Sequence, residues 1–187
     1  MDKKIGLSIV IPVLNESNNI HILTNKIIQN LKKINFELIF VDDNSIDKSK
    51  KILNFLKKKY KFFKPIFRKK KRDLTQSCFE GIKKSKFDNI LIMDGDMQHD
   101  PKYIKPMLKI IKKYDCDIVV GARPLVKGPN QGLSEMRRFA SNLLIFLFSV
   151  FNIKTTDPMS GFFLFKKNIY IKNKKFFFGK GFKILAD

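Results

Sequence analysis

The chain has 187 residues, 44% of them hydrophobic, which is enough for one domain with a real core and argues against global disorder. Its formal charge of +21 leaves two readings: an anionic partner (phosphorylated substrate, anionic membrane or nucleic acid), or lysine as the default surface residue. No apolar run reaches the roughly 18–20 residues that span a bilayer, and the opening "MDKKIGLSIVIP" lacks the apolar region and cleavage site of a signal peptide.

In chain order, strands and helices alternate. "LSIVIP" (7–12) is a continuous apolar run, as expected of a strand buried on both faces. Ser17 is a candidate N-cap for a helix whose apolar residues Ile20, Leu23, Ile27, Leu31 and Ile34 step by three and four. "ELIFVD" (37–42) is a second strand; Ile52, Leu56 and Tyr60 mark the next helix, and a short strand is expected near 62–67. Leu74, Cys78 and Ile82 mark a third helix, "NILIMD" (89–94) a further buried strand. Pro101 fits the first turn of a helix carrying Ile104, Leu108 and Ile111, before a strand at 117–122. This alternation predicts an α/β fold with a mostly parallel sheet flanked by helices, its ligands gathered beyond the carboxyl ends of the strands.

Beyond residue 122 the pattern changes. Residues 123–132 carry two prolines and two glycines and read as a loop. Residues 134–153 start basic and become apolar nearly all round, a buried helix or one lying in a membrane interface. Residues 161–167 read as a late strand. Cys78 and Cys116 lack metal-type spacing and are expected to be buried thiols of a protein kept in a reducing, cytosolic compartment.

The most unusual stretch is "MDGDMQHDP" (93–101). Asp94, Asp96, Asp100 and His99 crowd into seven positions of a basic chain, at a strand end, where like charges repel unless a cation sits among them. Asp94 and Asp96, with Gly95 allowing close backbone approach, can aim at one hard divalent cation such as Mg²⁺ or Mn²⁺. The plainer reading is a helix-capping turn, with Asp100 capping before Pro101 and His99 bonded to backbone. An EF-hand is excluded because Lys105 stands where a bidentate Glu is required. "VDDNS" (41–45) is either an Asx-rich turn or a carboxylate for ribose hydroxyls or a base N–H. Neither G-x-G-x-x-G nor G-x-x-x-x-G-K-[ST] is present, so phosphate charge would fall to a metal on Asp96. Residues 57–72 hold ten Lys or Arg and no acid; their interleaved aromatics fit a single-stranded nucleic-acid site or, sitting where a strand is expected, the core. Residues 158–186 also lack acid, and a face built from both segments would attract anionic lipid.

The ordered blocks "IPVLNESNNI", "ELIFVDDNSID", "RDLTQSCFEG", "MDGDMQHDP", "VGAR", "MRRFAS" and "DPMSGFFLF" resemble family 2 glycosyltransferases of the GT-A fold, a Rossmann-like nucleotide-diphospho-sugar transferase architecture. Within that family the chain is similar to the polyprenyl-phosphate branch, the dolichol-phosphate mannosyltransferases and their undecaprenyl-phosphate relatives. The resemblance implies an inverting transfer of a hexose, of mannose or glucose type, from a nucleoside diphosphate sugar to a polyprenyl phosphate, aided by Mg²⁺ or Mn²⁺. It implies that Pro12, Leu14, Glu16 and Asp42 bind the nucleoside, and that Asp94, Gly95 and Asp96 flank the donor diphosphate. Asp96 and Gln98 would be metal ligands and Arg123 would reach the donor phosphates, making Asp94, Asp96 and Arg123 the catalytic set. Arg137 and Ser141 would hold the acceptor phosphate, and Asp157 and Ser160 would help close the site.

The implied partners are the nucleotide sugar, polyprenyl phosphate, an anionic membrane surface at the cytoplasmic face, contacted through 134–153, and a membrane-anchoring subunit; nucleic acid is not among them. Leu14 replaces an aromatic of the family pattern, Asp73 and Ser77 stand where Gly and Ala are usual, and Gly95 where Ala is common. The family pattern continues past "GFKILAD", so the resemblance implies a single catalytic domain over 1–187 that is truncated at its C-terminus. A family 2 enzyme acting on a sugar or protein hydroxyl is the alternative, with Asp157 or Asp187 as base; a basic nucleic-acid-binding module is a remote one that leaves the acidic strand ends unexplained.

Overall fold

The computed structural model describes residues 6–122, 157, 160–177, 179 and 181. The elements are β1 (Gly6–Val13), α1 (Ser17–Asn30), β2 (Asn35–Asp42), α2 (Ser49–Lys59), β3 (Phe63–Phe67), α3 (Leu74–Lys84) and β4 (Asn89–Ile92). A 3-10 turn (Pro101–Tyr103) leads into α4 (Ile104–Lys113), followed by β5 (Ile118–Val120), β6 (Phe163–Lys166) and α5 (Lys167–Asn173).

The six strands lie in the order β3-β2-β1-β4-β6-β5. β1 pairs in parallel with β2 and β4, and β2 in parallel with β3, whereas β6 runs antiparallel to both β4 and β5. β1 is central, and seven of its eight residues are buried. Its side chains divide by parity, as a pleated strand requires. Leu7, Ile9, Ile11 and Val13 join α1, α2 and α4 in one core layer. Val10 joins α3 and α5, with Cys78, Phe79, Ile82 and Tyr170, in the other. Burial on both faces explains the uninterrupted apolar runs of β1 and β2.

The helices form where the spacing placed them. α1 ends at Asn30, and Leu31 and Ile34 lie beyond it. Its N-cap position belongs to Glu16, with no side-chain cap bond, so the expected cap by Ser17 does not form. Asp100 does cap, accepting the Lys102 N–H at 3.0 Å. The strands at 89–94 and 117–122 are shorter than expected, 89–92 and 118–120, because β6 pairs only along those residues. Cys78 is buried but Cys116 only half-buried. The aromatics of the basic run pack inward: Phe63 stacks on Phe40 at 5.0 Å and Phe62 on Tyr60 at 5.2 Å, which removes them as platforms for nucleotide bases.

At the amino end of the sheet, Glu37 is fully buried. Its Oε1 accepts the Ser8 hydroxyl at 2.6 Å and the Lys86 N–H at 2.7 Å, and Oε2 lies 2.7 Å from Lys64 Nζ. Burial pushes this carboxyl up, but the bonds from Lys64, the Lys86 amide and Ser8 outweigh it and hold the pKa below its ordinary value. A depressed pKa stabilises the fold above the ordinary carboxylate range, and that contribution disappears as pH falls through the lowered value. Glu37→Gln is expected to cost about 1–3 kcal/mol at pH 7. The variant should also lose less stability than wild type between pH 7 and pH 3, as read from urea midpoints at the two pH values.

Candidate active site

The strand order reverses at β1, which has β2 on one side and β4 on the other, and crevices at such points take ligands. Pro12 is buried at the carboxyl end of β1. Val10, of the same parity, faces β4 and accepts the Met93 N–H at 3.1 Å; β4 pairing stops at Val10, so the missing N–H of Pro12 breaks no ladder bond. Leu14 is 39% exposed.

The turns after β1 and β2 are knitted together. The Asn15 N–H donates to Ser45 Oγ at 2.9 Å, the Ile46 N–H to Asn15 Oδ1 at 2.9 Å, and the Glu16 N–H to Ser49 Oγ at 3.1 Å. Asp47 accepts the Ser17 N–H at 3.0 Å and the Ser49 N–H at 2.9 Å, so one carboxylate serves the N-termini of α1 and α2. Slight burial works against it, but these bonds hold its pKa at about 2. Glu16 itself is half-buried, its Oε2 accepting from Asn19 Nδ2 at 2.6 Å.

The two aspartates that end β2 have different surroundings. Asp43 pairs with the buried Arg68, which also donates to Glu80 Oε1 at 3.1 Å, Ser77 Oγ at 3.1 Å and the Asp73 carbonyl at 3.1 Å. Asp42 is fully buried; its Oδ2 accepts the Ser45 N–H at 3.3 Å, and its Oδ1 has no hydrogen-bond partner among the described residues. A buried acceptor without a donor costs about 1–3 kcal/mol. The sequence pointed to Asp42 and missed the Asp43–Arg68 pair, because Arg68 sits in a basic run that reads as surface.

The acidic motif follows β4. Asp94 is half-buried, with Oδ2 3.8 Å from His99 Nε2, and the His99 ring stacks on Phe162 at 5.1 Å. Gly161 lies directly against it: a Cβ at residue 161 would come within 1.9 Å of Asp94 Oδ2. Gly95 is buried, and a Cβ there would meet Val13 Cγ1 at 2.7 Å. Asp96 is exposed, its Oδ1 accepting the Gln98 N–H at 3.0 Å. Met97 between them has φ of 67°, a conformation that costs a residue with a side chain about 1–2 kcal/mol. His99 thus meets a carboxylate and an aromatic ring, in place of the backbone bond expected of it.

Ser160 sits behind Gly161, donating its hydroxyl to the Gly121 carbonyl at 2.8 Å and accepting the Phe162 N–H at 3.1 Å. The Asp157 carbonyl accepts the Ser160 N–H at 3.2 Å. Cys78, on α3, lies beneath this region. Burial, and then the charges of Asp94, Asp73 and Asp43, push its thiol far up.

Arg123, Arg137, Ser141, Asp187 and the segment 134–153 lie outside the described residues. Among the described residues no three His, Cys, Asp or Glu side chains converge as a metal cage. The oxygen donors at Asp94, Asp96 and Gln98 fit Mg²⁺ or Mn²⁺ of the kind that takes one or two carboxylates and completes its shell with substrate phosphates. An apolar groove of about 350 Å³, lined by Phe79, Phe163, Phe165, Tyr170 and Phe177, lies between α3 and α5. It carries no ionisable carboxylate and is not this site.

Residues 8–173 match the family described as Glycosyl transferase family 2. The chain belongs to this family. It is 31% identical over 166 residues to a dolichol-phosphate mannosyltransferase of Pyrococcus furiosus, covering 87% of this chain and 47% of that one. It is 30% identical over 193 residues to the dolichol-phosphate mannosyltransferase of Saccharomyces cerevisiae, covering 98% and 69%. The chain therefore spans about half of the first relative and about two-thirds of the second. Among solved structures, mannosyl-3-phosphoglycerate synthase from Rubrobacter xylanophilus superposes with a TM-score of 0.70 at 14% identity, covering 89% and 55%. Glucosyl-3-phosphoglycerate synthase from Mycobacterium tuberculosis, in complex with Mn²⁺, UDP-glucose and phosphoglyceric acid, superposes with 0.69 at 14% identity, covering 97% and 62%. The fold is the GT-A fold of these structural neighbours.

Gly161→Ala tests the packing of the family's "SGF" block, because the new methyl group must displace the Asp94 carboxylate. The variant is expected to keep a thermal midpoint close to wild type while Mn²⁺-dependent affinity for UDP or GDP falls about tenfold or more. Calorimetric titration beside a melting curve reads both.

Proposed function

We propose that the chain is an inverting glycosyltransferase that moves a hexose from a nucleoside diphosphate sugar to a polyprenyl phosphate at a membrane surface. The observation that carries the donor half is the contrast between two adjacent aspartates. Asp43 is neutralised by Arg68, whereas Asp42 keeps a buried oxygen without a donor among the described residues, as a carboxylate awaiting a base or ribose N–H or O–H would. Pro12 lies near the carboxyl end of β1, and Leu14 and Glu16 lie on the turn after it, which bonds directly to Ser45 and Ser49. The relatives named dolichol-phosphate mannosyltransferase support a polyprenyl phosphate as acceptor.

Asp96 and Gln98 would hold the Mg²⁺ or Mn²⁺, which supplies Lewis-acid neutralisation of the leaving diphosphate. Asp94, given room by Gly161 and beside His99, would hold its charge near the donor diphosphate. Arg123 contributes positive charge to the donor phosphates. An acceptor phosphate is already anionic near neutral pH, so it needs orientation more than a strong base; Arg137 and Ser141 provide it, with the segment 134–153 along the bilayer. In this reading contact through 134–153 is peripheral, because its apolar stretch is shorter than the roughly 18–20 residues that span a bilayer. The second reading, transfer to a sugar or protein hydroxyl, would take Asp157 as base; the Ser160 N–H bonds its backbone carbonyl.

The full chain is assayed with labelled nucleotide sugars, polyprenyl phosphate and Mn²⁺. Transfer to the lipid that stops with chelator and in Asp96→Ala is the expected result; transfer only to hydroxyl acceptors would favour the second reading. The Asp96→Ala protein should bind the nucleotide no better with Mn²⁺ than without it. The membrane half is tested apart: the protein should sediment with anionic liposomes, and Phe146→Ser with Phe148→Ser should abolish this in high salt, where charge attraction is screened.

A further inference from the structure

Asp73 makes more bonds than a helix cap requires. Its Oδ1 accepts the Gln76 N–H at 2.9 Å, which caps α3. Its Oδ2 accepts the N–H of Gly181, 108 residues away, at 3.1 Å. Gly181 returns the contact, its carbonyl accepting the Thr75 N–H and the Thr75 hydroxyl, each at 3.1 Å. The Gln76 side-chain amide donates to the carbonyl of Gly179. Both glycines have positive φ, 69° and 116°, so the chain crosses the start of α3 in a conformation that side chains resist.

The backbone of Asp73 faces the other way. Its N–H donates to Asp43 Oδ2 at 2.7 Å, and its carbonyl accepts from Arg68 and from the Ser77 hydroxyl. Asp43 directly follows Asp42, the carboxylate with one oxygen unpartnered among the described residues. One residue therefore joins the crossing at 179–181 to the end of β2. A helix cap alone would need only Oδ1, and an ion pair alone would need only Asp43 and Arg68.

We infer that Asp73 is a positioning residue, a latch that fastens the Gly179–Gly181 crossing to the start of α3 and, through Asp43, steadies the Asp42 end of β2 for a nucleoside diphosphate. The latch stands on the bonds above; its effect on the nucleotide rests on the donor site proposed in the preceding section. Coupling of this kind is reciprocal, so a nucleotide that gains from an ordered β2 end tightens the latch by the same factor.

The test uses the full chain and Asp73→Ser, which keeps one oxygen to cap the Gln76 N–H but has no second acceptor for Gly181. Hydrogen exchange followed by NMR should show the Gly181 and Thr75 amides losing protection by about tenfold, with that of Gln76 retained. UDP and GDP, each with Mn²⁺, serve as probes. Bound nucleotide should raise Gly181 protection in wild type, and Asp73→Ser should bind about fivefold more weakly or worse. Asp73→Ala removes the cap as well, so a melting point lower than that of the Ser variant separates helix stability from latching. Unchanged Gly181 protection in Asp73→Ser overturns the latch. Lost protection with unchanged nucleotide affinity overturns the positioning role. If wild type binds neither nucleotide, the donor reading and the positioning role fall together, while the exchange comparison still decides the latch.

Discussion

Strand β6 enters the sheet antiparallel between β4 and β5, with Phe163 opposite both Ile92 and Val120. The residues just before it, Ser160 to Phe162, consequently arrive at the same edge where β4 releases Asp94. Ser160 ties this arrival to Gly121, Gly161 leaves room for the Asp94 carboxylate, and Phe162 stacks on His99. Two sequence blocks nearly seventy residues apart thus become one piece of structure through the direction of one short strand. Shifting β6 by one residue would turn Phe163 and Phe165 away from the α3 layer that buries them.

Around that edge the electrostatics run against the charge of the whole chain. The net +21 is distributed over exposed lysines, while carboxylates end β2 and β4. Among the described residues only part of this edge is neutralised: Arg68 answers Asp43, and helix N-termini answer Asp47 and Asp73. Among the described residues one Asp42 oxygen has no partner, and Asp96 is exposed. Carboxylates left in this state suit a ligand that brings its own hydrogen-bond donors and its own cation.

Much of the fold was legible because strands buried on both faces leave apolar runs, as in Ile9–Ile11 and Leu38–Val41, and the helices between them keep a regular spacing. The partners of β6 were not legible. Its four residues carry no signal of direction, and their pairing is settled by space left between β4 and β5 far away in sequence. The double cap by Asp47 was hidden for a related reason. "DNSID" reads as a local turn, but half of its function is the Ser17 N–H on a different helix. Arg68 was hidden among nine other basic residues, since composition does not tell which one of a run turns inward. Asp42, Asp94 and Asp96 stood out in the sequence because acids crowded at strand ends of a basic chain repel one another, whereas the donor role expected of Gly95 and the metal role of Gln98 came from the family resemblance alone.

The central claim is that the carboxyl end of β4 meets a cation together with a nucleoside diphosphate. Paramagnetic broadening reports this directly: Mn²⁺ added with UDP or GDP to isotope-labelled protein relaxes amides close to the ion. The account predicts selective broadening of Gly95, Asp96, Gln98 and Gly161, with Ser8 and Lys86 at the opposite end of the sheet remaining sharp. Broadening centred elsewhere, or spread evenly over the surface carboxylates, would contradict it.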